Sequence, residues 1–157
     1  MHILLATDAD WIVDEVTAAL SGPDTSFTVC REGRVVSKVA RQSPPGLAIL
    51  DLQIGSMGGM AVTMDLRLDE SADLAGRVPV LMLLDREADV HLARRSGADG
   101  WLVKPLDARR LQRAANTVAA GGTWHNGDPS PLAPVDAEPV DAAESGATPE
   151  EEPAPAG

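Results

Sequence analysis

Aromatic side chains are scarce in this chain. Tyr is absent, Phe occurs once and Trp three times among 157 residues. With 44% hydrophobic residues, the chain can still bury the core of one ordinary domain, built from aliphatic side chains. Cysteine is nearly missing as well. The lone Cys30 excludes an internal disulfide framework and suits a reducing compartment. It has no Cys or His close by in the sequence and reads as a small buried residue. No run approaches about 18 consecutive apolar residues, which leaves no candidate transmembrane helix. No secretory leader is legible, because Asp8 falls where an apolar stretch should continue. The expected location is therefore cytoplasmic, away from any membrane. Bases are outnumbered, 13 Lys and Arg against 24 Asp and Glu, for a formal net charge of −11. That balance argues against a nucleic-acid partner, since phosphate backbones attract basic surfaces.

The acidic excess is uneven. Residues 122–157 hold eight acids, seven of the twelve prolines and no Lys or Arg. They read as a disordered, acidic, Pro/Ala-rich tail, because proline breaks helices and Glu150, Glu151 and Glu152 repel one another. Residues 1–121 carry 16 acids against 13 bases and are expected to fold as one domain. No internal repeat is present. No helix-turn-helix, enzymatic or RNA-binding pattern follows Gly122, so output is expected through protein contact, made by the domain or its tail.

Within residues 1–121, short aliphatic runs alternate with amphipathic stretches. Ile3–Ala6, Ser26–Val29, Leu47–Leu50, Val78–Leu84 and Gly100–Val103 read as strands. Helical spacing covers Ile12–Leu20, with Asp8 or Asp10 as its cap. It returns over Arg34–Gln42, over Met60–Leu74 with Met60, Met64 and Leu68 on one stripe, over Ala88–Arg95, and after a cap at Asp107. Five β-α units with continuous aliphatic strands specify an α/β fold, a doubly wound parallel sheet covered on both faces. In such sheets ligands bind beyond the carboxyl ends of the strands.

Three polar groups stand at those ends: Thr7-Asp8 after the first strand, Asp51 closing the third, and Lys104-Pro105 after the fifth. If the first strand is central, the three are neighbours. Two carboxylates meeting there repel, and a Mg²⁺ ion would relieve them through hard oxygen ligands. A carboxylate can attack a phosphoryl donor to give an aspartyl phosphate, and a lysine pairs with phosphoryl oxygens as a point charge.

Four stretches carry a family resemblance. They are Ile3-Leu4-Leu5-Ala6-Thr7-Asp8, Leu47-Ala48-Ile49-Leu50-Asp51-Leu52, Pro79-Val80-Leu81-Met82, and Gly97 through Leu106 with its Lys104-Pro105. In this order the chain resembles the receiver domain of two-component response regulators over residues 1–121. The resemblance implies a flavodoxin-like sheet of order 2-1-3-4-5. It implies Asp51 as phosphoacceptor, Lys104 as the phosphoryl contact, and a Mg²⁺ ion held by Asp8, Asp51 and the backbone carbonyl of Gln53. It also implies a cis peptide at Pro105, and a histidine kinase or another phosphodonor as partner beside a protein target.

Several positions depart from the family pattern. Thr7 stands where a first acid is usual, which weakens the metal position. Leu84 stands where a switching Ser or Thr is usual, and no Ser or Thr occurs from Arg77 to Arg95. The aromatic switch position is Trp101, large and costly to rebury. The loop Ile54-Gly55-Ser56-Met57-Gly58-Gly59 lacks the family's Met-Pro. It also lacks the Gly-Lys-Ser/Thr ending of a P-loop and reads as a flexible loop. His2, His91 and His125 have no metal spacing. Arg94-Arg95 and Arg109-Arg110 are solvated faces or half of a homodimer contact across the fourth and fifth helices. The expected function is an atypical single-domain response regulator rather than an enzyme. The alternative is a phosphorylation-independent pseudo-receiver. A small aspartyl-phosphate phosphatase would need a second acid as general acid/base, and Thr7 occupies its place.

Overall fold

The computed structural model describes residues 1–125. The expected tail falls mostly on residues 126–157, outside the described residues. Strands β1 (His2–Ala6), β2 (Ser26–Cys30), β3 (Leu47–Asp51), β4 (Val80–Leu84) and β5 (Gly100–Val103) alternate with helices α1 (Asp10–Leu20), α2 (Val36–Gln42), α3 (Gly59–Ser71), α4 (Val90–Ser96) and α5 (Ala108–Ala119). Single 3₁₀ turns lead into α2 and α4. All strand pairs are parallel, and β1 lies centrally, between β2 and β3.

The sheet has one strand more than expected. Trp124–His125 form β6 beside β5, giving the order β2-β1-β3-β4-β5-β6. Two features favour the extra strand. Trp124 is a large apolar side chain that becomes 3% exposed there. Gly100, its partner across the pair, lacks the Cβ that would otherwise sit 2.8 Å from the Trp124 carbonyl oxygen. Residues 122–125 therefore belong to the fold rather than to the tail.

Alternation along each strand sends side chains to two faces. Ile3, Leu5, Leu47, Ile49, Leu81 and Leu83 pack with Ile12 and Val16 of α1 and Leu111, Ala115 and Val118 of α5. Leu4, Ala6, Ala48, Leu50 and Val80 pack with Val36 and Ala40 of α2 and Val62 and Leu66 of α3. A third cluster, Leu52, Met82, Leu84, Ala93 and Trp101, sits under α4. Each fully buried Leu or Ile contributes roughly 1.5–3 kcal/mol. The strands therefore hold the fold, and the polar strand ends are free to serve chemistry.

One expectation about the helices is corrected. Neither Asp8 nor Asp10 caps α1: the N-cap is Ala9 without a side-chain cap, and Asp10 is already helical and pairs with Arg31 at 2.8 Å. The Ala9 amide instead donates to the Thr7 hydroxyl at 3.1 Å. In α3 the stripe of Met60, Met64 and Leu68 does not face the sheet, since Met64 and Leu68 are 46% and 66% exposed. Val62, Thr63, Leu66 and Asp69 face inward instead. The helix carries two apolar stripes, and polar pairing with α2 selects between them. Ser37 donates to Asp65 at 2.6 Å, and Arg41 meets buried Asp69 through two hydrogen bonds. At the other end of the chain's helices the cap was legible, because Asp107 accepts from the Arg110 amide at 2.9 Å.

Candidate functional site

The strand ends meet at the C-terminal edge of the sheet. Asp51, the last residue of β3, is 2% exposed. Its Oδ1 accepts from the Lys104 ammonium at 2.9 Å and from the Gln53 amide at 3.1 Å. Its Oδ2 accepts from the Thr7 hydroxyl at 2.9 Å. The carboxylate is thus buried and already met by one cation and two neutral donors. Burying it unpaired would cost several kcal/mol.

Lys104 follows β5, and its amide donates to the Leu84 carbonyl at 2.8 Å, tying the ends of β4 and β5 together. The Lys104–Pro105 peptide is cis, as the resemblance implied. The ammonium also donates to Asp85 Oδ1 at 2.8 Å. It lies 5.8 Å from the centre of the Trp11 ring, a cation–π contact. Burial pulls the Lys104 pKa down, but hydrogen bonds to Asp85 and Asp51 and their charges outweigh it, and the net direction is upward. The lysine therefore stays charged at neutral pH.

Asp8 lies on the exposed lip, where its Oδ2 accepts from the Gly55 amide at 3.1 Å. That bond ties the loop after β3 to the end of β1. The same loop is fixed more tightly than a flexible linker. A Cβ at Gly59 would sit 2.8 Å from the Asp51 carbonyl oxygen, and one at Gly33 would sit 1.8 Å from the Met57 carbonyl oxygen. The glycine run reads better as close backbone packing around the site than as mobility.

Asp8, Asp51 and the Gln53 carbonyl are hard oxygen donors of the kind Mg²⁺ prefers, and they could hold it with water completing the shell. Thr7 contributes a hydroxyl whose proton is turned to Asp51, not a third charge. Among the described residues no group of three or more His, Cys, Asp or Glu side chains clusters as a metal site. The fit to Mg²⁺ is one of donor kind, with a low charge count.

Two residues at the site were not expected there. Asp85 is the first residue after β4, and an acid at that point reads in sequence as a loop cap. Trp11 sits in the first turn of α1, 47% exposed and outside the apolar stripe of Ile12 and Val16, and nothing in the sequence pairs it with Lys104. The two residues at the expected switch positions lie in one cluster. Leu84 is fully buried and Trp101 is 2% exposed, both in the cluster under α4. Trp101 stacks on His125 at 4.6 Å, with the Arg94 guanidinium 5.6 Å over its ring. The ring lies inward in this structure, in the same cluster as aliphatic Leu84, which stands where a hydroxyl is usual. His91 is a surface residue whose Nδ1 meets the Ala88 carbonyl, and His2 meets Thr28. Cys30 is buried, and burial pushes its thiol pKa up. Arg94, Arg95 and Arg109 are exposed on α4 and α5.

A parallel α/β sheet with an acid–lysine pair at its carboxyl edge is the arrangement that the resemblance to receiver domains implied. The chain belongs to the response regulator receiver domain family, whose model matches residues 3–116. It is 36% identical over 121 residues to the nitrate/nitrite response regulator protein NarL of Escherichia coli, covering 76% of this chain and 55% of that protein. It is 27% identical over 122 residues to protein PilH of Pseudomonas aeruginosa, covering 76% of this chain and 98% of that protein. The chain spans about half the length of NarL and of the DNA-binding response regulators MtrA that it also matches. Among solved structures it is similar to chemotaxis response regulator CheY4 of Vibrio cholerae, with a TM-score of 0.66 and 23% identity over 74% of this chain and 97% of that one. It is also similar to the receiver domain of a Pseudomonas aeruginosa sensor histidine kinase described with a magnesium ion in its active site cleft, with a TM-score of 0.64 and 20% identity over 76% of this chain and 98% of that one. Among the described residues no helix is long and apolar enough to cross a membrane.

Proposed function

We propose that this receiver accepts a phosphoryl group on Asp51 within a phosphorelay and signals by protein contact, as an atypical single-domain response regulator in the cytoplasm. The observation that carries the reading is the Lys104 ammonium 2.9 Å from Asp51 Oδ1 at the carboxyl edge of the sheet. An Asp51 oxygen attacks the phosphorus of a histidine kinase's phosphohistidine or of a small acyl phosphate. The bond from phosphorus to the donor's nitrogen or oxygen breaks, and the leaving group keeps the electron pair. Lys104 stays charged and offsets the negative charge gathering on the phosphoryl oxygens. Mg²⁺, when bound by Asp8, Asp51 and the Gln53 carbonyl, supplies further charge neutralisation. Thr7 holds Asp51 in place through its hydroxyl and contributes no charge to the metal. Output would pass through the face of α4 and α5, where Arg94, Arg95 and Arg109 are exposed to a protein target or a second copy of the chain.

A second reading, a pseudo-receiver that works without phosphorylation, is favoured by one specific observation. Trp101 is already buried against Leu84, so the pocket lacks the moving hydroxyl and ring through which a phosphoryl group would be sensed. Incubation with acetyl phosphate and Mg²⁺, followed by intact-protein mass measurement, separates the two. Gain of one phosphoryl mass supports the acceptor, and an unchanged mass supports the pseudo-receiver.

A further inference from the structure

The Lys104 ammonium has three N–H donors. One goes to Asp51 Oδ1 at 2.9 Å and one to Asp85 Oδ1 at 2.8 Å. The lysine side chain is 12% exposed, that of Asp85 37%, and that of Asp51 4%. Asp85 therefore sits at the solvent side of the same cation that steadies Asp51 on the inner side. Its position is fixed by its neighbours. Leu84 is fully buried before it, and the Leu84 carbonyl is held by the Lys104 amide. A phosphoryl group on Asp51 would need Lys104 and would bring about 1.5–2 negative charges. Asp85 already occupies one N–H of that lysine with a negative charge of its own.

We propose that Asp85 is an internal competitor for Lys104, a carboxylate in the place of a phosphoryl oxygen, that governs how readily the site takes a phosphoryl group. The proposal rests on the reading of Asp51 as the acceptor. When a phosphoryl group arrives, an Asp51 oxygen forms the new bond to phosphorus, the donor's bond to phosphorus breaks, and its electron pair leaves with the donor. Lys104 must then divide its charge between Asp85 and the phosphoryl oxygens, which compete for the same ammonium. Asp85 opposes transfer twice, by holding the lysine and by repelling the incoming anion. The site is thereby self-occupied at rest, which makes acceptance slow and gives a partner a handle. Any contact that draws Asp85 away frees Lys104.

The test compares the full chain with Asp85→Ala and Asp85→Glu variants. Two quantities are measured: the initial rate of phosphoryl uptake from acetyl phosphate with Mg²⁺, by intact mass, and the affinity for beryllofluoride with Mg²⁺, by fluorine NMR. Asp85→Ala should accept the group about 1.5-fold to fivefold faster, the range set by losing one partly exposed charge pair. Asp85→Glu should stay near the wild-type rate. Beryllofluoride should bind more tightly to Asp85→Ala than to the wild type. Equal or slower uptake in Asp85→Ala overturns the proposal, slower uptake meaning that Asp85 positions Lys104 for transfer. If no variant and no wild-type protein gains mass, the acceptor reading has failed on its own. Beryllofluoride affinity then decides, and an affinity unchanged in Asp85→Ala overturns the competition.

Discussion

Replacing Thr7 by aspartate should make the fold depend on a divalent cation. Thr7 is fully buried, and its hydroxyl donates to Asp51 Oδ2 at 2.9 Å. Thr7→Asp removes that hydrogen bond to a charged group, a loss of about 1.5–3 kcal/mol. It also places a second carboxylate beside the first. Two unit charges about 4 Å apart repel by about 4 kcal/mol at an effective dielectric constant near 20. Lys104, 2.9 Å from Asp51, relieves part of the repulsion. The net cost without metal is then about 2–5 kcal/mol. For a folded unit of this size each kcal/mol moves the Tm by roughly 3–6 °C, so a fall of about 10–20 °C is expected in EDTA. A cation present at 100 times its Kd returns about 2.7 kcal/mol, which recovers about half of that fall or more. Thr7→Val loses the hydroxyl without adding charge. It should fall less, and Mg²⁺ should help it no more than the wild type. Calorimetric melts of the three proteins in EDTA and in saturating Mg²⁺ measure this directly. A Thr7→Asp protein that melts with the wild type in EDTA, or that Mg²⁺ does not rescue, would refute the placement of Thr7 against Asp51.

Other outcomes follow from the same geometry. Lys104 has a raised folded-state pKa from Asp85 and Asp51 despite its burial. A raised value stabilises the fold below the ordinary value of 10.5 and is lost as pH climbs through the folded value. Wild-type stability, followed by urea unfolding, should therefore decline in that alkaline window, and Lys104→Met should flatten the decline; parallel slopes contradict the pairing. Leu66→Ala should cost about 2–5 kcal/mol, whereas Leu68→Gln should stay within about 0.5 kcal/mol. The reverse order would mean that the stripe of Met60, Met64 and Leu68 faces the sheet after all. Cys30 is 4% exposed with its thiol pKa pushed up by burial. It should react with a thiol reagent at pH 8 only as fast as the protein unfolds, and rapid labelling of native protein would count against its burial. In a chain carrying Trp11→Phe and Trp124→Phe, emission from Trp101 should shift little when beryllofluoride binds, because the ring is already 2% exposed. A large shift would show that the ring does swing.

The strands and the pair of Asp51 and Lys104 were legible because continuous aliphatic runs ending in a polar residue have few other meanings in an α/β chain. Leu84 and the absence of any nearby hydroxyl were legible only against the receiver pattern, which usually has a Ser or Thr there. The facing of α3 was not. Met60, Met64 and Leu68 recur at helical spacing as well as Val62 and Leu66 do, and only the pairing of Asp65 and Asp69 with α2 decides between them. Strand β6 was hidden because two residues inside a Gly- and Pro-rich stretch show no periodicity, and its partner Gly100 signals close approach only once the strands are paired. Asp85 escaped notice because its role depends on Lys104, 19 residues away in sequence. Trp11 lies further still from the lysine it covers.

The most direct test of the account is to locate the phosphoryl group. The full chain and an Asp51→Asn variant are incubated with acetyl phosphate and Mg²⁺, digested, and sequenced by tandem mass spectrometry under conditions that keep acyl phosphates intact. The account expects one phosphoryl group in the wild type, carried by Asp51 in the peptide that follows Leu50, and none in Asp51→Asn. A wild-type protein that gains no phosphoryl group, or a group found on any other residue, would contradict it.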